Sequence, residues 1–192
     1  MVTVSRQPTK LDYASPTQFK FTINQLPKVE FFTVSANIPD ITLSDVVIPT
    51  PFKPIPVLGQ NLTYGNLTIT FIVDEFLENY KELHNWMVGI AFPKSREQFS
   101  DFRSTVSKTP SATQGASRDI GDVQPATPVR PMFGDATLTI LTNKNNPIVE
   151  VRFQDVYPAS LSSLTYDQNA TDVTYLTATV TFDYKIYEIV TL

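Results

Sequence analysis

Apolar and polar positions alternate at a period of two through much of the chain, beginning at Phe19, where Phe19, Phe21 and Ile23 share one face and Lys20, Thr22 and Asn24 the other. Successive side chains of an extended backbone point to opposite faces, so this spacing predicts a half-buried strand. After the break at Leu26-Pro27, a second strand is expected over Val29 to Ala36, rich in aromatic and β-branched residues (Phe31, Phe32, Thr33, Val34), before the turn residues Asn37-Ile38-Pro39-Asp40. From Ile41 to Pro56, Val46, Val47, Ile48, Phe52 and Ile55 stand among Pro49, Pro51, Pro54 and Pro56. Proline cannot donate to a central ladder, so this stretch is expected at a sheet edge or in a projecting arm.

Leu67 to Val73 alternates again and runs into Asp74-Glu75-Phe76-Leu77-Glu78-Asn79-Tyr80, where the period changes. Phe76, Tyr80, Leu83, Met87 and Ile90 recur at helical spacing, and Leu77 and Trp86 widen the stripe. With Asp74 as cap and Gly89 and Pro93 marking the end, one amphipathic helix over about 74 to 90 is predicted against a sheet. From Ser104 to Pro131 the composition shifts to Ser, Thr, Pro, Gly and Ala without periodicity, which predicts a long loop insertion over 104–131. Loops longer than about 12 to 15 residues are usually functional or disordered. Ala136 to Leu141, a turn at Asn143-Lys144-Asn145-Asn146-Pro147 and a return through Val149, Val151 and Phe153 read as a hairpin. The last element, Tyr175 to Ile189, is predicted to be the longest strand, with Leu176, Ala178, Val180, Phe182, Tyr184 and Ile186 on one face and Thr177, Thr179, Thr181, Asp183, Lys185 and Tyr187 on the other. Together these elements predict an all-β-dominated fold, an antiparallel two-sheet sandwich or barrel with one flanking α-helix.

Composition narrows the picture further. A length of 192 residues suits a single β domain over 1–192 with an extended N-terminal arm over 1–15. Hydrophobic residues at 42% and charged residues at 18% are those of a packed chain. A formal net charge of -4 provides no global basic field to retain phosphates. Cysteine is absent, which excludes disulfides, thiolate metal sites and cysteine nucleophiles. MVTVSRQPTKLDY carries no apolar core segment and no later run approaches the roughly 20 apolar residues of a membrane span, so a soluble chain without membrane insertion is expected. The Asn-x-Thr triplets at Asn61, Asn66 and Asn169 are ordinary in Thr-rich strands and carry little weight.

Catalytic chemistry is sparse. His84 is the only histidine, so neither a two-histidine metal set nor a Cys/His dyad can form, and a structural or solvent role is its expected one. Asp74-Glu75 and Glu78-Glu82 lie near the predicted helix start, where the helix dipole favours carboxylates. The glycines are too dispersed for a phosphate-cradling loop, and no calcium-loop order follows Asp74. Lys20, Lys28, Lys53, Lys94, Arg96, Arg103, Lys108, Arg118 and Arg130 are only loosely interleaved with aromatics and read as a solvated surface. No catalytic residue, cofactor or metal site is assigned.

Several segments coincide in one order: SPTQFKFTINQLP, FFTVSANIPDI, the Pro-rich VVIPTPFKPIPVLGQ, LTITFIVDE feeding NYKELHNWMVGI, and PASLSSLTYDQ followed by TYLTATVTFDY. In that order the chain resembles the tail tube proteins of contractile-tailed (T4-like) bacteriophages, baseplate tube initiators included, which are themselves similar to the ring protein of type VI secretion tubes. The resemblance spans about 16 to 93 and 136 to 188. It implies a non-enzymatic subunit whose sheets join those of its neighbours in hexameric rings, stacked around a channel for DNA. The implied partners are its own copies and the tail sheath, tape measure and baseplate proteins, in a virion made in the host cytoplasm. Val47, Ile48, Phe52, Ile55 and Val57 are the candidate contacts between subunits or rings. Thr177, Thr179, Thr181, Asp183 and Lys185 are the candidate polar channel or surface face. The insertion over 104–131 departs from a plain tube subunit and leaves a tube initiator, terminator or adaptor open. A host- or carbohydrate-binding β-sandwich ranks below these, because most aromatics lie inside periodic segments.

Overall fold

The computed structural model describes residues 12–104, 132–168 and 175–192. The first strand, β1 (Phe19–Ile23), buries Phe21 and Ile23 as its alternation requires. The strand expected over Val29 to Ala36 is replaced by a short helix, α1 (Pro27–Phe31), and a four-residue strand, β2 (Thr33–Ala36). Proline at the first helical turn has its φ preset and lacks only an N–H that would go unbonded there, so Leu26-Pro27 starts a helix rather than merely ending a strand. The Glu30 N–H donates to the Leu26 carbonyl and Thr33 Oγ1 donates to the Val29 carbonyl at 2.8 Å. Val29 is thereby buried, while Phe31 is left 82% exposed.

Next come β3 (Ile41–Ile48) and β4 (Ile55–Tyr64), paired with each other as a separate two-stranded sheet, and then β5 (Leu67–Ile72). The main helix, α2 (Glu78–Ala91), starts four residues later than expected. Asp74 is not its cap, because Leu77 takes a left-handed conformation (φ 56) that turns the chain just before the helix. Asn79 organises that turn instead: fully buried, it accepts from the N–H of Asp74 and of Tyr80 and donates to the Ile72 carbonyl at 2.8 Å. Phe76, expected on the buried stripe, lies outside the helix and is 77% exposed; Leu83 and Trp86 are buried in the core, and Tyr80 and Ile90 of the expected stripe pack against it. Gly89 does not end the helix. The Phe102 ring of α3 (Arg96–Ser104) packs on it, so that a β-carbon there would come within 2.5 Å of Phe102 Cγ. Two short helices thus join the flanking one. Of the loop expected over 104–131, Ser104 ends α3 and the rest lies outside the described residues, as does most of the N-terminal arm.

The hairpin expected from Ala136 onward is β6 (Gly134–Leu141) and β7 (Pro147–Leu161), followed by β8 (Thr177–Asp183) and β9 (Ile186–Thr191). Among the described residues the longest strand is β7, at 15 residues; the run from Tyr175 to Ile189 breaks at Tyr184-Lys185 into two strands. That break reverses the phase, so Tyr187, expected on the polar face, is buried. Strands are antiparallel in the order β1-β6-β7-β8-β5-β2, with β9 also on β7. β7 pairs with β6 and β9 up to Val156 and Gln154 and with β8 from Tyr157, and Asp155, next to this changeover, takes φ 55. One long strand therefore serves two sheets. Phe21, Leu138, Val151 and Phe153 from one, and Leu67, Ile69, Phe71, Val180 and Phe182 from the other, form a single buried cluster closed by Trp86. Each such side chain contributes about 1.5–3 kcal/mol by leaving water. The fold is mostly β, an antiparallel sandwich with a flanking helix, and no barrel closes among the described residues.

Candidate assembly surface

The β3–β4 hairpin is apolar where a soluble hairpin would be polar. Its register places Val46 opposite Val57, Val47 opposite Pro56 and Ile48 opposite Ile55. Cross-strand partners share a face and successive pairs alternate, so Val46, Val57, Ile48 and Ile55 form one face while Val47, Pro56 and Leu58 lie on the other. Both faces are exposed, Leu58 to 79%. Nearer the root the register slips between Leu43 and Asp45, where Gly59 lies against Ser44; a β-carbon at Gly59 would run into the Ser44 carbonyl oxygen, which only glycine avoids. At the tip, Thr50 Oγ1 donates to the Lys53 carbonyl and accepts from the Lys53 N–H, a local turn that carries Phe52 into solvent at 100% exposure.

All five apolar residues singled out in the sequence therefore lie on this projection: Val47, Ile48, Ile55 and Val57 on its paired strands and Phe52 at its end. Leu58 and Leu62 lie on it as well, beyond the residues that the sequence singles out. Leu62 alternates with Tyr64 and could be read from that period, whereas Leu58 lies on the other face from Ile55 and Val57, and the glycine and the slipped register interrupt the pattern between them.

The threonine row is placed on a second surface. Thr177, Thr179 and Thr181 alternate along β8 with the buried Ala178, Val180 and Phe182. Thr181 lies opposite Thr68 on β5 and Ser160 on β7; Thr179 lies opposite Thr70, whose neighbour on β2 is Ser35. The Thr70 and Thr179 hydroxyls share a hydrogen bond of 3.2 Å, and Ser162 Oγ accepts from the Thr179 N–H. The outcome is a sheet face of hydroxyl groups across four strands. Thr68, Thr70, Ser35 and Ser160 could not be found from sequence, since nothing local says which strands become neighbours. Asp183 ends the row and accepts from Asn66 Nδ2 at 3.0 Å. Lys185 does not continue it, because it sits in the break between β8 and β9.

Among the described residues, the path of strands leaves β1 and β2 as unpaired outer edges. A groove of about 400 Å³ runs between them, lined by Phe19, Lys20, Glu30, Phe31, Thr33 and Val34. Lys20 and Glu30 approach to 3.6 Å across it. Lys28 bridges α1 to Glu78 at the start of α2; this hydrogen bond raises the lysine pKa and lowers that of the glutamate. His84 is exposed on α2. Among the described residues no group of three or more His, Asp or Glu side chains is placed to hold a metal ion, and no helix is long and apolar enough to cross a membrane. The Asn169 triplet, Lys108, Arg118, Arg130 and the Arg103 side chain lie outside the described residues.

No protein-family model matches the sequence, and comparison with curated proteins finds no match. Solved structures match in fold. A chain of the anti-feeding prophage cap, described as the tube-terminating cap, aligns over 100% of both chains at 14% identity and a TM-score of 0.54. A chain of the six-fold symmetrised anti-feeding prophage baseplate aligns over 97% of both, at 10% identity and a TM-score of 0.54. A chain of an extracellular contractile injection system, the PVC sheath-tube complex in its extended state, covers 94% of this chain and 93% of its own length, at 13% identity and a TM-score of 0.51. The chain shares its fold with components of contractile injection systems, consistent with the contractile tail tube family that the sequence resembles.

Proposed function

We propose that this chain is a structural subunit of a contractile tail tube of the bacteriophage type, forming stacked hexameric rings around a channel through which DNA passes. The observation that carries the reading is the β3–β4 hairpin, which exposes apolar residues on both faces in a chain whose fold, over nearly its whole length, is that of contractile-system components. An exposed apolar projection is costly in water and is stable when covered by a partner. Copies of the same chain supply that cover in a ring stack, and the six-fold symmetry named for the baseplate neighbour supports six copies per ring. The unpaired edges at β1 and β2 are where neighbours within a ring extend the sheets, which removes an aggregation hazard.

The hydroxyl face over β2, β5, β8 and β7 is assigned to the channel wall. DNA is retained chiefly by cations that displace its counterions, and hydroxyl rows solvate a passing polyanion without doing so. Val47, Ile48, Phe52, Ile55 and Val57 make the contacts between subunits or rings. The subunit works by geometry, without catalysis or cofactor, and its partners beyond itself are sheath, tape measure and baseplate proteins in the virion, assembled from chains made in the host cytoplasm.

The full-length match to a tube-terminating cap favours a second reading, in which the chain is a terminator or baseplate-proximal initiator instead of the repeating unit. Negative-stain electron microscopy of the purified protein, with light scattering on the same sample, separates the two. Long self-grown hollow tubes are expected for the repeating subunit, and single six-membered rings for the terminator or initiator. A monomer that stays a monomer at all concentrations, and on addition of a preformed contractile baseplate, would overturn both.

A further inference from the structure

The hairpin leaves the domain at a root built from four aromatic rings. Tyr64, the last residue of β4, packs edge-on against Tyr187 at 5.4 Å and Tyr184 at 6.2 Å between ring centres. Both of these rings also rest on Phe153 of β7, at 5.6 and 5.1 Å. Their hydroxyls reach the two legs of the hairpin separately. Tyr184 Oη donates to the Gly65 carbonyl at 2.7 Å, directly after β4, and Tyr187 Oη donates to the Pro39 carbonyl at 3.1 Å, just before β3. The Gly65 N–H donates to the Asp40 carbonyl at 2.9 Å and ties the legs together.

This placement depends on the break between β8 and β9. Residues three apart on a continuous strand point to opposite faces, so an unbroken run would have sent Tyr184 and Tyr187 in opposite directions. Interrupting the strand at Tyr184-Lys185 brings both rings to one place, where each holds one leg. Beyond the root, no residue of β3 and none of β4 before Tyr64 belongs to the core cluster or packs against it. A two-stranded ribbon without such support is marginal in water.

The geometry points to Tyr184 and Tyr187 as positioning residues that clamp the hairpin root and set the direction in which its apolar residues are presented to a second copy of the chain. Holding the ribbon in one direction before contact removes an ordering cost from association. The clamp itself is a property of the single subunit; its consequence for assembly rests on the function proposed above.

Absence of cysteine makes the test direct, because two introduced cysteines are the only labelling sites. Spin labels at Lys53→Cys on the hairpin and His84→Cys on α2 report the distance distribution between tip and body. A narrow distribution is expected, broadened about twofold in the Tyr184→Phe/Tyr187→Phe double variant while the melting temperature of the body is kept. Equal widths in parent and double variant would overturn the clamp. Should the double variant fail to fold, Tyr184→Phe alone is read by hydrogen exchange at the Gly65 N–H. About tenfold faster exchange is expected for the loss of one hydrogen bond, and unchanged exchange would overturn the proposal. Assembly is measured separately: broadened variants that form rings as readily as the parent would break the link to assembly, whereas a parent that forms none would count against the tube and leave the distance result standing.

Discussion

At the residue scale, two polar side chains decide local geometry that apolar packing leaves open. Asn79 satisfies the Asp74 and Tyr80 N–H groups and the Ile72 carbonyl from a fully buried position at the junction of β5 and α2. Leucine is similar in size but bonds none of them, so Asn79→Leu is expected to cost about 1–3 kcal/mol, read as a lower urea midpoint at unchanged m-value. Tyr184 is the other. Burial, with Tyr187, Tyr64, Asp40 and Asp183 facing it, pushes its hydroxyl from 10.0 up to about 12. All four neighbours are neutral or negative, so all resist formation of a phenolate. Since the folded state favours the protonated form, its contribution is intact below pH 10 and is lost as pH rises from 10 towards 12. Gly65 exchange, compared between the parent and Tyr184→Phe after correction for intrinsic rates, should converge across that window, because the phenolate can no longer donate.

Elements divide into those that build the body and one that does not. β1, β5, β6, β7 and β8 place their apolar face in one cluster, onto which α2 is fastened by Leu83 and by Trp86, whose Nε1 donates to the Met132 carbonyl at 2.9 Å. The β3–β4 hairpin contributes only the partly buried Tyr64. Excising residues 46–57 and closing the strands with Asn-Gly is therefore expected to shift the melting temperature by no more than about 4 °C, a change of roughly 1 kcal/mol for a domain of this size. Calorimetry measures this, and a large loss would mean that the hairpin supports the body after all. The same variant is expected to form neither rings nor tubes.

For the whole molecule the question is what covers the exposed apolar surface. Among the described residues Phe52 is the most exposed large apolar one, at 100%. Phe52→Asp is expected to leave a folded monomer with an unchanged circular dichroism spectrum, while assembly by light scattering falls at least about tenfold, because burying an unpaired carboxylate in an apolar contact costs several kcal/mol. Normal tubes from that variant would remove the hairpin tip from the interface and move attention to the groove between β1 and β2.

Much of this was legible beforehand, and where it failed the reason is physical. The pairing of β6 with β7, the faces of β1 and β5, the existence of α2 and the projection of the Pro-rich stretch follow from periodicity and from what proline cannot donate, which are local properties of the chain. The Val29–Ala36 segment was misread because a short apolar run fits a helical turn as well as a strand, and Pro27 tipped it. Three features needed the folded molecule: the bend that lets β7 serve two sheets, the break that brings Tyr184 and Tyr187 to the hairpin root, and the meeting of Thr68, Thr70, Thr179, Thr181 and Ser160 on one surface. Periodicity records that a side chain has a face, but which strand lies beside it is set by contacts between residues as much as 148 positions apart, as from Pro39 to Tyr187. Only closing the core selects among those pairings.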